Sequence, residues 1–175
     1  YGFDEVAIVP GDVTVNPDQT NIDFNIGEFK FSVPFMASSL DAVASPDFAV
    51  DFGKKGGLAV MNLEGIYTRY DDPTDVIKEI IVAPQETATQ LLQKIYSAPI
   101  RDELVGRRIE QIKRGGVTCA VSITPALTKR LAPLAVEAGA DIIVIQSTVT
   151  TARHISKSEQ GLVLSDICKQ INLPI

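Results

Sequence analysis

At 175 residues and 45% hydrophobic content, the chain can bury a sizeable core and reads as one globular domain or a large piece of one. A formal charge of -6 argues for a soluble acidic protein and against nucleic-acid or anionic-membrane partners, while leaving phosphate open, because backbone N–H groups at a helix start hold anions whatever the surface charge. Cys119 and Cys168 are too few for a disulfide scaffold, no apolar run has membrane-spanning length, and YGFDEVAIVPG lacks the basic-then-apolar order of a signal peptide. A reducing, cytoplasmic setting is expected.

Residues 1–32 carry turn signals at Pro10-Gly11 and Asn16-Pro17, then alternating Ile22, Phe24 and Ile26, which predict a loop and a small hairpin closing one end of the fold. VPFMA at 33–37 is a short apolar strand candidate followed by Ser38-Ser39. Next comes a helix with Ser45 as N-cap, Pro46 at its first position and an inner face of Phe48, Ala49 and Phe52. Gly56-Gly57 stops it, and LAVMN at 58–62 is the next strand.

The same unit returns downstream. VTCAVSI at 117–123 reads as a strand, Thr124 and Pro125 as a helix start, and Leu127, Leu131, Leu134 and Ala138 as one helix face. Gly139 ends that helix before the strand DIIVI at 141–145, and a weaker helix is expected at 165–171. The last residues, INLPI, look like the opening of another buried strand, which leads us to expect a larger chain.

Residues 63–113 between the two units are mostly helical. Val76, Ile77 and Ile80 follow Pro73; Ala88, Leu91, Leu92 and Ile95 form a second stripe; Val105, Ile109 and Ile112 form a third. The helix at 101–113 belongs to the repeating pattern, the two before it are extra, and the charges on their outer faces are expected to be solvated surface.

Apolar strands without strict alternation suit parallel pairing with both faces covered. Right-handed strand–helix–strand units leave an open doubly wound sheet or a closed (β/α)8 barrel, and the ragged end favours the barrel, which takes roughly 250 residues. In either fold, ligands collect beyond the carboxyl ends of the strands. Three sets meet that condition: Ser38-Ser39-Leu40-Asp41, Met61-Asn62-Leu63-Glu64 and Gln146-Ser147-Thr148. Their hydroxyls and amides suit a nucleotide's sugar or base, and equally suit turns and helix starts. His154 has no second histidine or cysteine beside it and reads as a surface residue. Cys119 shares parity with Val117 and Val121 and is expected to pack; Cys168 reads as a helix-face residue. Neither GxGxxG nor GxxxxGK occurs, which counts against a dinucleotide-binding turn or a P-loop.

The segments YGFDEVAIVPG and VPFMASSLDAVASPDFAVDFGKKGGLAVMN resemble the opening of the IMP dehydrogenase and GMP reductase family. NLEGIYTRY and QSTVTTARHIS look like the divergent IMP dehydrogenase-related subgroup that lacks the CBS regulatory cassette. The resemblance implies a (β/α)8 barrel of which residues 1–175 are the N-terminal portion, with a helical insertion at 63–100 too short for paired nucleotide-sensing modules. It implies a homotetramer acting on GMP or IMP with NADPH or NAD. Ser38, Leu40, Asp41 and Asn62 would lie at the nucleotide, and Gln146, Ser147 and Thr148 near the nicotinamide, where Gln146 replaces the family's usual aspartate. The attacking cysteine would lie beyond Ile175, with no catalytic or metal-binding residue inside this chain. The missing modules favour reduction of GMP to IMP and ammonia; oxidation of IMP to XMP and non-catalytic purine-nucleotide binding are the alternatives.

Overall fold

The structure, a computed structural model, describes residues 2, 4–147, 153–154 and 162–175, with only the backbone of Arg153 and His154. Thr148 and the His154 side chain therefore lie outside the described residues.

A hairpin, β1 (Phe24–Ile26) and β2 (Phe29–Phe31), comes first, as its alternation predicts, turned by Gly27 at φ 58°. Ile22 is left outside it and is exposed. Then β3 (Met36–Ala37), β4 (Leu58–Asn62), β5 (Ala120–Ile123) and β6 (Ile142–Ile145) pair in that order as one parallel sheet. The helices between them are α1 (Pro46–Lys54), α2 (Thr74–Val82), α3 (Gln85–Tyr96), α4 (Asp102–Arg114) and α5 (Thr128–Glu137). A second hairpin, β7 (Arg153–His154) with β8 (Leu162–Val163), and α6 (Leu164–Gln170) follow.

Local chemistry accounts for the helix ends. Ser45 Oγ accepts from the Phe48 amide at 3.0 Å and Pro46 fills the first position, so α1 starts where the sequence indicates. At its other end Gly56 takes φ 90°, and the Gly57 amide reaches back to the Phe52 carbonyl. Gly139, at φ 91°, ends α5 in the same way, with Ala140 bonded to Ala135. The start of α5 differs from expectation. Thr124 to Leu127 form a turn, with the Leu127 amide and Thr128 Oγ1 both donating to the Thr124 carbonyl, and the helix begins at Thr128.

The sheet has two apolar sides. Ala59, Met61, Val121, Ile123 and Ile143 face the helices, where Val105, Ile109 and Ile112 of α4 and Leu131 and Ala135 of α5 cover them. Leu58, Val60, Ala120 and Ile142 point the other way and meet Phe31 of the first hairpin. This burial on both faces is why the strands are apolar throughout. Several expected inner-face residues stand outside these cores: Phe48 and Leu92 are exposed, and α2, with Val76, Ile77 and Ile80, buries none of its residues. Beyond β6, the Ile143 amide donates to the Pro174 carbonyl at 3.0 Å, but residues 171–175 do not form the buried strand expected of INLPI.

Candidate functional site at the carboxyl ends of the strands

The register defines layers across the sheet. Val60, Ala120 and Ile142 form an apolar layer on the face turned from the helices. One step toward the carboxyl ends, Asn62 pairs with Ser122 and Ser122 with Val144. By alternation these residues point to that same face, so it turns from apolar to polar at the strand ends.

Above this layer the outermost strands meet. Ser39, just beyond β3 and 3% exposed, donates from Oγ to Gln146 Oε1 at 2.7 Å. In a flat sheet, three strand spacings of about 4.8 Å would separate these ends by about 14 Å. Their contact across 107 positions of sequence fits a sheet curling toward a barrel. Gln146 is held further by its own amide, which bonds to the Ile123 carbonyl at 3.0 Å.

The first and third expected sets are thus brought together, and Ser39 supplies the link. Ser38 and Leu40 are exposed beside it, and Ser147 is exposed after Gln146. Of the second set, Met61 and Leu63 are fully buried among the helices and take no part in the rim. Asn62 Oδ1 accepts from the Glu64 amide at 2.9 Å, and Glu64 Oε1 accepts from the Thr124 amide at 2.6 Å, tying the β4 loop to the end of β5.

Asp41 is engaged by the loop after β4 and by the inserted helices. Its Oδ2 accepts from the Ile66 amide at 2.8 Å and from the Tyr96 hydroxyl at 2.5 Å. Its Oδ1 is buried without a partner among the described residues, so close to Gly65 that any side chain there would collide with it. Burial first, and then the hydrogen bond that the phenol donates to Asp41, push Tyr96 well above its ordinary range. Arg69 stacks over the Tyr96 ring, 5.8 Å from its centroid.

Ser122 was not foreseen. Its Oγ, in a residue 1% exposed, has no partner among the described residues, and a buried hydroxyl left so is costly. The signal in the sequence was the lone hydroxyl in the strand AVSI. Cys119 packs in the helix-side core as its parity indicates, and burial, reinforced by Asp141, pushes its thiol up to about 12. Cys168 is exposed on α6. Among the described residues, no group of three or more His, Cys, Asp or Glu is placed to hold a metal, and no helix is long and apolar enough to cross a membrane. A cavity of about 870 Å³ runs along α5 from Thr128 to Glu137 against α6, on the helix side of the sheet.

Parallel strands wrapped by helices, with polar side chains gathered at their carboxyl ends, define a protein of the β/α-barrel class. Residues 1–163 match the family model described as the IMP dehydrogenase / GMP reductase domain. The chain belongs to that family. It is 32% identical to an uncharacterized oxidoreductase of Mycolicibacterium smegmatis across 100% of this chain and 48% of the relative. It is 25% identical to an inosine-5'-monophosphate dehydrogenase of Methanocaldococcus jannaschii across 61% of this chain and 25% of that enzyme. The crystal structure of an IMP dehydrogenase/GMP reductase-like protein from Corynebacterium glutamicum superposes with a TM-score of 0.91 at 33% identity, covering 99% of this chain and 47% of that one. The chain therefore spans about half the length of these full-chain relatives.

Proposed function

We propose that these residues form the N-terminal portion of a (β/α)8 catalytic barrel with a helical insertion at 63–100, and that the full-length protein is a purine-nucleotide oxidoreductase. The reaction we favour is reduction of GMP to IMP and ammonia with NADPH. The observation that carries this reading is the Ser39–Gln146 contact, which gathers the strand ends into one rim above the Asn62–Ser122 layer. Relatives named as an inosine-5'-monophosphate dehydrogenase and as uncharacterized oxidoreductases support the reaction class.

In this reading Ser38, Leu40, Asp41 and Asn62 border the nucleotide, and Ser122 joins them through its unsatisfied hydroxyl. Gln146, Ser147 and Thr148 border a nicotinamide cofactor, which supplies hydride chemistry when bound. The polar rim fits such a ligand: neutral amides and hydroxyls orient it without adding charge. Neither cysteine of this chain suits the attack on the purine. Cys119 is buried on the helix side with its thiol pushed up to about 12, and Cys168 is exposed on α6. In this proposal the nucleophile comes from the second half of the barrel.

The test is NADPH loss that depends on GMP, run beside NADH formation that depends on IMP, with full-length protein. Loss of NADPH supports the proposal. NADH formation alone replaces it with dehydrogenation, and neither reaction in a preparation that binds GMP leaves a binding protein.

A further inference from the structure

The hydrogen bonds at the rim are asymmetric, and the asymmetry specifies a ligand group. Asn62 receives the Glu64 amide, a group that can only donate, so the atom facing it must be the side-chain oxygen. The Asn62 amide nitrogen meets no acceptor among the described residues. Gln146 is fixed in the same sense. Ser39 is buried and its hydroxyl hydrogen needs an acceptor; among the described residues that acceptor is Gln146 Oε1. The Gln146 amide nitrogen lies on the other branch of the planar amide, turned from Ser39, and meets no acceptor among the described residues. The carboxylates nearby are already engaged: Glu64 by the Thr124 amide, and Asp41 by Ile66 and Tyr96. Apart from Asp41 Oδ1, which is buried against Gly65, the acceptor oxygens named here are spent on building the rim, and the amide donors of Asn62 and Gln146 remain for a ligand.

We propose that Asn62 and Gln146 are specificity-determining donors which seat an sp² carbonyl oxygen of the ligand, in place of the hydroxyls that a carboxylate at position 146 would select. Two groups offer that oxygen: the 6-keto group of a purine nucleotide and the carboxamide of a nicotinamide. The inference rests on the rim being the nucleotide site, as proposed above.

Gln146→Glu and Asn62→Asp test it in the full-length protein. Each replacement keeps the oxygen that bonds to Ser39 or Glu64 and exchanges the amide donors for a second acceptor. Calorimetric titration with GMP and, separately, with NADPH is the readout. We expect binding of one of the two to weaken at least tenfold, since a donor is lost and a carboxylate then faces a carbonyl oxygen. The 5'-monophosphate of 2-aminopurine riboside, which is GMP without its 6-oxygen, separates the sources. If the purine oxygen is the one held, this probe binds wild type weakly and ignores both substitutions. If the nicotinamide carboxamide is held, the loss falls on NADPH alone. Unchanged affinity for both ligands in folded variants would overturn the inference and leave the site reading standing. Tighter binding in Gln146→Glu would overturn it in favour of a hydroxyl-bearing group. Wild-type protein that binds neither GMP nor NADPH would remove the site reading and this inference together.

Discussion

Tyr96→Phe removes one atom from the link between the inserted helices and the rim. The ring and its stacking with Arg69 remain, and what disappears is the 2.5 Å hydrogen bond from the hydroxyl to Asp41 Oδ2. Asp41 then keeps only the Ile66 amide, because its Oδ1 already has no partner among the described residues. A hydrogen bond to a charged group contributes about 1.5 to 3 kcal/mol. Tyr96 is 38% exposed, so water recovers part of that, and about 1 to 2 kcal/mol should be lost. Urea denaturation measures the loss, and a double-mutant cycle with Asp41→Asn isolates the pair. We expect the two substitutions together to cost less than the sum of their separate effects, by about 1 kcal/mol. Strict additivity, or no destabilisation by Tyr96→Phe, would refute the claim that α3 holds the rim through this bond.

Other expectations follow from single contacts. The raised Tyr96 phenol means that the folded state favours its protonated form; this contribution is complete below the ordinary value of 10.0 and is lost as pH climbs above it. Stability should therefore fall more steeply above about pH 10 in wild type than in Tyr96→Phe. Ser122→Ala should raise stability without ligand by about 1 kcal/mol, by removing an unsatisfied buried hydroxyl, and weaken GMP binding severalfold; a fall in stability would show that Oγ has a partner. Ile109→Ala should cost about 2 to 5 kcal/mol in denaturation, because Ile109 is fully buried between α4 and the sheet and its removal leaves a cavity. Of the two cysteines, Cys168 should label with a thiol reagent in native protein and Cys119 only on unfolding, as peptide mass mapping would show; prompt labelling of Cys119 contradicts its burial.

Features that were legible in the sequence are those decided within a few residues. Ser45-Pro46 starts a helix through its own cap, and Gly56 and Gly139 stop helices because each adopts a positive φ. The unalternating apolar strands announced a sheet covered on both faces, and the parallel pairing agrees. Boundaries moved where a distant side chain takes a backbone group. The strand expected from 117 begins at Ala120, since the Cys119 amide donates to the Asp141 carboxylate at 2.8 Å. The helix expected at Thr124 begins at Thr128, with the Thr124 amide drawn to Glu64. The rim was legible as three polar sets at strand ends but not as a network. Ser39 finds Gln146 across 107 positions and Asp41 finds Tyr96 across 55, and no local pattern encodes such pairs. Met61 went astray for a simpler reason: strand parity turns it to the helices while its neighbour Asn62 faces the other way.

A crystal structure of the full-length protein soaked with GMP tests the central claim most directly. The account predicts nucleotide density at the carboxyl ends of β3 to β6, bounded by Ser38, Asn62 and Gln146. Density in the groove between α5 and α6 instead, with the strand ends empty, would contradict it.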